Sequence, residues 1–353
     1  MPNPTVRLQV ANVLTSAATG LIEFIRIGGG NAERILGSSG ISPEKLSNTS
    51  LSIDLKQYCM VFEEAARQTG DDNFGLHYGH QFKPAELGML GYVGMSSATV
   101  GDALRNIAQF FPYHQQGSLL EFVEAGEFCK LDYQVQHGGI VCKRHDAELS
   151  LGMFLNLMRH ALGPEWAPEQ VHFEHPRPAA WNEHRKAFAA PVHFGQAMNS
   201  LVFRKGVLDC PMPTRDGRLL ALLIDNMRQL ALQAAPGADA AECGLVEDVK
   251  AQIQRLIGEG EPSIERVANG LRIPVWTLQR RLAEHQQSVS GLVEQMRREL
   301  AVYHLQQSSL PLSEIALMLG YSELSAFSRA FRRWFGSSPR QWRESGSLSL
   351  ATS

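Results

Sequence analysis

Apolar residues recur at intervals of three and four through most of the chain, the spacing of a helix with one buried face. Three N-terminal stretches carry it. "VRLQVANVLTSAATGLIEFIRI" reads as one helix. "LSIDLKQYCMVFEEAARQTG" reads as a second, stopped by Gly70. "SSATVGDALRNIAQFFPYH" reads as a third, with Thr99 able to cap it and Pro112 ending it. The period then changes. "SLLEFVEAGEFCKLDYQVQ" forms two short runs split by "EAGE", the pattern of a β-hairpin. "HDAELSLGMFLNLMRHALG" returns to helix, and "EQVHFEH", "APVHFG" and "NSLVFRK" read as short strands. Helices mixed with clustered strands predict an α+β domain over residues 1–205. Residues 206–247 read as a connector, helical in the middle and ending in "AAPGADAAECG", whose small residues suit a linker. From 248 to 345 helical spacing continues without strand alternation, predicting an all-α domain, and 346–353 read as a disordered tail.

The all-α part contains the same unit twice. In "LSEIALMLGYSELSAFSRAFRRWFGSSP" a helix near Ser313–Leu319 turns Ile315, Ala316 and Leu319 inward. Gly320 permits a sharp turn, and Ser322 is placed to cap the next helix. That second helix buries Phe327, Phe331 and either Trp334 or Phe335, while Ser325, Ser328, Arg329 and Arg332 occupy its other side. Gly336 and Pro339 end the run. In "PSIERVANGLRIPVWTLQRRLAEH", Ile264, Val267, Ala268 and Leu271 face inward, Pro274 suits a helix start, and Leu278 and Leu282 are buried. Trp276, Gln279 and Arg280 lie on the free side. Ala268 and Ala316 are 48 residues apart and Leu278 and Phe327 are 49 apart, so the second turn is one residue longer. "VSGLVEQMRRELAVYHLQQSS" between them is a helix long enough to orient both units. This is helix-turn-helix organisation, and a repeated pair can enter successive major-groove faces about 34 Å apart.

Charge supports the reading weakly. Residues 251–353 hold twelve Arg, no Lys and nine acidic residues, 12 − 9 = +3, so a whole-chain charge of −3 leaves −6 on the first 250. A basic end on an acidic body suits an anionic partner. Cys59, Cys129, Cys142, Cys210 and Cys243 are odd in number and form no CxxC pair, which points to a reducing compartment. Neither a signal peptide nor an 18-residue apolar span is apparent, so no membrane association is expected.

The repeated units closely resemble the AraC/XylS family of bacterial transcription regulators. "RVANGLRIPVWTLQRRLAEH" is similar to that family's first helix-turn-helix, and "RRELAVYHLQQSSLPLSEIALMLGYSELSAFSRAFRRWFGSSPRQWR" to its joining helix and second unit. The likeness runs from Val249 to Arg343. It implies DNA contacts from Trp276, Gln279 and Arg280 in the first recognition helix, and from Leu324, Ser325, Ser328 and Arg329 in the second; Arg332, on the same free side, joins them as a DNA-binding candidate. The family often has Gly at the position of Gln286 or Gln287, where this chain has "EHQQS". "DDNFGLHYGHQFKPAELGMLGYVGMSSATVGDALRNIAQFF" resembles the sensor domain of a subgroup termed arabinose-binding-like, a likeness spanning residues 20–205 that names no sugar here. This subgroup is mixed in helix and strand and departs from a cupin barrel.

The resemblance implies an effector-responsive activator acting as a homodimer on double-stranded operator DNA, in contact with RNA polymerase, in the cytoplasm and at the nucleoid. A ligand-independent or repressor-type DNA-binding protein is the alternative, and an enzyme with an appended DNA-binding domain is the alternative from another class. No GxSxG, HExxH or P-loop speaks for an enzyme, and "RIGGGNAER" follows a helix and reads as a turn. His145, Asp146 and Glu148 read as solvated residues at a helix start, because neighbouring helix positions point apart. His172, His175, His184 and His193 lack compact ligand pairs and read as surface and interface histidines. No catalytic residue, cofactor or metal is therefore expected. For the small-molecule effector, Phe110, Phe111, Tyr113 and His114 are the candidate pocket residues, aromatics beside polar groups at a helix end. Met153, Leu157 and Met158 read as core.

Overall fold

The computed structural model describes residues 11–49, 51–233, 240–257, 260–307 and 310–350. Two units emerge: residues 11–136 with 142–233, and residues 240–350 with the segment 137–141. In the first unit the opening stretch is not one helix. β1 (Asn12–Leu14) pairs antiparallel with β2 (Ser52–Asp54), a 3-10 turn covers Thr15–Ala18, and α1 (Leu21–Ile27) follows. The ladder takes the backbone groups a helix needs, and Gly20 at φ +81° breaks the chain direction before α1. α2 (Ala32–Ser38) and α3 (Pro43–Leu46) come next. α4 (Leu55–Thr69) is shorter than expected because its first residues form β2; Asp54 caps it by accepting from Gln57 N at 2.8 Å, and Gly70 ends it at φ +71°.

α5 (Phe74–Gln81), α6 (Met89–Ser96) and α7 (Val100–His114) complete the helical layer before the sheet. Thr99 caps α7 as expected, accepting from Asp102 N at 3.2 Å. Pro112 does not end α7: it sits in the last turn, and Gln115 N still donates to Phe111 O at 2.9 Å. Only the one hydrogen bond that proline cannot donate is lost there.

The sheet runs β3 (Ser118–Ala125), β4 (Phe128–Val135), β7 (Asn199–Arg204), β5 (Gln170–His172), β6 (Val192–His193), antiparallel except for the parallel β5/β6 pair. β3 and β4 form the expected hairpin around Gly126 at φ +64°. β5, β6 and β7 are the three short strands read from the sequence. α8 (Arg144–Leu162) is buried from its first residue through Ser150 and lies at the centre of the unit, while α9 (Asn182–Phe188) sits between β5 and β6 in sequence. α8 crosses α5 closely. A Cβ on Gly75 would lie 2.3 Å from His145 O, and one on Gly79 would lie 2.6 Å from Leu149 Cα, so only glycine allows this approach. α10 (Gly217–Gln233) packs on α6 and α7 and buries Met227, within the stretch read as connector.

The second unit is all helical among its described residues: α11 (Ala240–Ile257), α12 (Ile264–Gly270), α13 (Val275–Glu284), α14 (Val289–Gln307), α15 (Leu312–Met318), α16 (Leu324–Phe335) and α17 (Pro339–Leu350). α11 starts inside the expected connector, and residues 234–239 of that linker lie outside the described residues. α17 reaches Leu350, so residues 346–350, expected as tail, continue a helix; Pro339 opens that helix rather than only closing α16. One core joins α11, α12, α13 and the start of α14 around Val249, Ile253, Val267, Leu278, Leu282 and Leu292. A second joins the end of α14 to α15 and α16 around Ala301, Ile315, Leu319, Phe327 and Phe331.

Candidate nucleic-acid interface

Each helix-turn-helix is built around a small alanine and a positive-φ turn. In the first, Val267 and Ala268 are buried, and Ile273 N returns to Ala268 O at 3.0 Å. In the second, Ile315 and Ala316 are buried, and Tyr321 N returns to Ala316 O at 2.9 Å. The two turns therefore close alike, through Arg272 at φ +56° and Gly320 at φ +75°. Gly320 has a second reason to lack a side chain, since a Cβ there would lie 2.6 Å from Ile257 O. Ser322 does not cap α16. Glu323 occupies the cap position without accepting from a backbone amide of the helix, and its carboxylate accepts instead from Ser325 Oγ at 3.0 Å.

The free faces hold the side chains expected for DNA. On α13, Trp276 is 64% exposed and Gln279 and Arg280 are exposed. The Arg280 guanidinium stands 5.6 Å over the Trp276 ring, a cation–π pair that gives this face one composite surface. On α16, Leu324, Ser325, Arg329 and Arg332 are exposed and Ser328 is half-buried. Arg329 and Arg332 make no ion pair among the described residues, so both guanidinium groups are open to an anion.

Arg333 behaves differently. Its Nη2 donates to Glu294 Oε1 at 2.7 Å, and Trp334 Nε1 donates to the same oxygen at 2.7 Å. These donors hold the Glu294 carboxyl below its usual range, with the Trp334 bond the larger cause. α14 thus grips the C-terminal half of α16 and leaves the N-terminal half free. It grips α15 as well: Arg297 Nε donates to Leu319 O at 2.9 Å, satisfying a carbonyl at that helix end. Glu294 and Arg297 were not legible as orienting residues, because their partners lie more than twenty positions away. The turn carrying "EHQQS" is made by Gln286 itself at φ +56°, with Gln287 N donating to Leu282 O at 2.9 Å.

The candidate effector residues do not share one surface. Phe110, Phe111 and His114 are buried, while Tyr113 is 42% exposed. Phe111 packs edge-on against Tyr133 at 5.8 Å, in ordinary core contact. Burial alone pushes the His114 imidazole down to about 4, and its Nδ1 has no hydrogen-bond partner. Met153, Leu157 and Met158 are buried as expected, and a cavity bordered by Met153, Leu157 and Ile107 offers about 10 Å3, room for a water at most. His145, Asp146 and Glu148 are not solvated: each is at most 1% exposed, because α8 is covered by α4, α5 and the sheet. His175 and His184 are buried too, against the expectation of surface positions, whereas His193 is exposed.

Two helix-turn-helix units on one long helix define a DNA-binding transcriptional regulator. Comparison with known proteins agrees. Residues 29–212 match the family model described as the arabinose-binding domain of AraC transcription regulator, N-terminal, and residues 267–345 match a helix-turn-helix domain model. The chain belongs to the AraC family of transcription regulators. It is 28% identical over 299 residues to the HTH-type transcriptional regulator VirS of Mycobacterium tuberculosis, covering 84% of this chain and 86% of that protein. It is 23% identical over 330 residues to the ornithine utilization regulator of Pseudomonas aeruginosa, covering 93% and 95%. Among solved structures it is similar to the transcriptional regulator CdpR of Pseudomonas aeruginosa, at 20% identity and a TM-score of 0.41, over 88% of this chain and 97% of that one. No helix among the described residues is long and apolar enough to cross a membrane.

Proposed function

We propose that this regulator is an effector-responsive activator: a small molecule bound by the unit of residues 1–205 shifts a homodimer between arrangements, and a DNA-binding domain over 248–345 reads the operator. The observation that carries the reading is the open face of α16, where Arg329 and Arg332 have no ion-pair partner among the described residues and Ser325 is exposed. Trp276, Gln279 and Arg280 contact bases or phosphates from α13; Leu324, Ser325, Ser328, Arg329 and Arg332 do so from α16. α14 spans 19 residues, about 28 Å, a length that suits two recognition helices in successive major-groove turns. The effector can move the equilibrium only by its differential affinity for the two arrangements. The end of α7 is the site to test for it, where buried His114 keeps an unpartnered Nδ1 and Tyr113 reaches the surface. Such a protein works in the cytoplasm, at the nucleoid, against RNA polymerase.

The test is selection of duplexes from a random library by the full-length protein, followed by transcription in vitro from the selected site. A recovered consensus, and transcription that rises with protein and with a metabolite extract, is the expected result. Binding that does not distinguish the consensus from a scrambled duplex would remove specific recognition. Transcription that falls on adding protein would favour the repressor-type alternative.

A further inference from the structure

Outside the DNA-binding face, the buried polar groups of the first unit converge on one carboxylate. Glu148, on α8, is fully buried, and three imidazoles surround it. His184 Nε2, from α9, lies 2.7 Å from Glu148 Oε1, and His175 Nε2, from the loop after β5, lies 3.5 Å from the same oxygen. His145 Nδ1 lies 3.6 Å from Oε2. One donor atom each from Glu148, His175 and His184 falls within 4.8 Å of the others.

The hydrogen bonds of His175 set the problem this cluster poses. Its Nδ1 sits 2.9 Å from Pro176 O, a carbonyl that can only accept, so Nδ1 carries the proton. In the neutral ring Nε2 then holds a lone pair. That nitrogen is buried, has no hydrogen-bond partner, and faces a carboxylate that also offers only lone pairs. Glu148 Oε2 is likewise buried and without a hydrogen bond. Electron-pair donors turned toward one another in a dry interior are unfavourable unless a cation lies between them.

We propose that Glu148, His175 and His184 form a buried site for a divalent first-row transition-metal ion, zinc(II) being the commonest ion for this donor set. Two imidazole nitrogens and one carboxylate are a recognised set for zinc, with bonds near 2.0–2.2 Å. Tetrahedral geometry then places ligand atoms roughly 3.3 Å apart. The 3.5 Å between His175 and Glu148 matches that spacing, and the 2.7 Å to His184 opens slightly on binding. Two of the three ligands have the outer contacts of a metal site, while His184 Nδ1 is buried without a hydrogen-bond partner. The His175 Nδ1–carbonyl bond is the outer contact that orients a ligating histidine. Arg144 orients the carboxylate, donating from Nε to Glu148 Oε1 at 2.8 Å while its other nitrogens hold Asp72 and Asn73. Phe173 and Phe194 wall the histidines, with ring centroids 4.9–5.6 Å away. The ion fastens α9 and the loop after β5 to α8, so its effect is on the fold of this unit.

The experiment uses the full-length protein, stripped with EDTA, desalted, and titrated with zinc(II) against a chromogenic chelator. One site per chain, a melting temperature raised by zinc, and visible ligand-field bands with cobalt(II) are expected. His175→Phe removes the unpartnered Nε2 together with the Nδ1 bond to Pro176 O, so it lowers the metal-free melting temperature only modestly and leaves a folded protein to titrate. It should weaken zinc by more than about 100-fold, beyond the loss expected for an outer contact. Where that variant does not fold, His175→Ala, which only removes atoms, takes its place. His172→Gln with His193→Gln controls for adventitious binding, since those rings lie 5.5 Å apart and His193 is exposed; this double variant should keep the site. No zinc bound by the wild type, equal affinity in the His175 variant, or loss of zinc only in the His172/His193 variant would each overturn the inference and leave the cluster as an ion-pair network.

Discussion

Arg329 and Arg333 are four residues apart on α16, yet their surroundings separate them. Arg329 has no ion-pair partner among the described residues, whereas Arg333 is tied to Glu294 at 2.7 Å. Recognition helices enter the groove by their N-terminal part. Arg329→Ala should therefore cost about 1–3 kcal/mol of operator preference, with little change on scrambled DNA. Arg333→Ala should cost about 0.2–1 kcal/mol of stability, the range of an exposed pair, and little sequence preference. Titrations on both duplexes at several salt concentrations separate the cases, and equal losses on the two duplexes for Arg329→Ala would make it a backbone clamp. Trp276, 64% exposed, should tolerate alanine within about 0.5 kcal/mol in a melt while operator affinity drops. A large fall in melting temperature would place the ring in the core instead. His114 gives a pH prediction. Its folded imidazole is held at about 4 against 6.5, so its neutral form stabilises the fold fully above pH 6.5, and that contribution is lost as pH falls toward 4. His114→Leu should remove up to about 3 kcal/mol of acid sensitivity between those values, read from melts at pH 5 and pH 7.5. An unchanged acid limb would show that His114 is not a source of it.

At the scale of elements, the repeat was legible because its signals are local. Alanine at the crossing, a turn four residues later and an apolar pair beyond it recur in α12–α13 and α15–α16. α11 was less legible. Its apolar spacing runs into "AAECG", whose composition resembles a linker, so the sequence reading placed a boundary at 248. In the structure α11 begins at Ala240 and contributes Val246, Val249, Ile253, Leu256 and Ile257 to the core of the first helix-turn-helix. Each such side chain stabilises by about 1.5–3 kcal/mol when buried. A fragment of residues 240–345 should melt cooperatively, and one of residues 260–345 should not. Cooperative melting of the shorter fragment by circular dichroism would show that α11 is dispensable. Where the sequence misled, at β1, β2 and Pro112, the helical period was present but pairing with a distant segment or the tolerance of a last turn decided the outcome.

For the whole molecule, the proposed homodimer makes a prediction about salt. A dimer presents twice the basic surface of one DNA-binding domain and gains effective concentration from its tether. The logarithmic salt slope of operator binding scales with the number of phosphates neutralised. The full-length protein should therefore show about twice the slope of the 240–345 fragment and tighter binding at every salt concentration. Equal slopes would mean that only one DNA-binding domain engages at a time.

The sequence by itself determined the helix-turn-helix pair, the hairpin, the short strands and the α+β character of the N-terminal half. Those features depend on periodicity, turn glycines and caps, which act over a few residues. It also nominated the free faces of α13 and α16, because a face is set by helical spacing. Only the tertiary structure decided what lies opposite a given side chain. Glu294 against Arg333 and Trp334, and Arg297 against the end of α15, join residues 22 to 40 positions apart. The clearest case is Glu148. Read along the chain, "KRHDAELS" looks like a solvated helix start and His175 and His184 look like isolated surface histidines. Folding turns all three inward, because α8 is covered on every side and the glycines of α5 let it approach to backbone contact. Convergence of groups 27 and 36 residues apart on one carboxylate has no period and no local motif, so no reading of spacing reveals it.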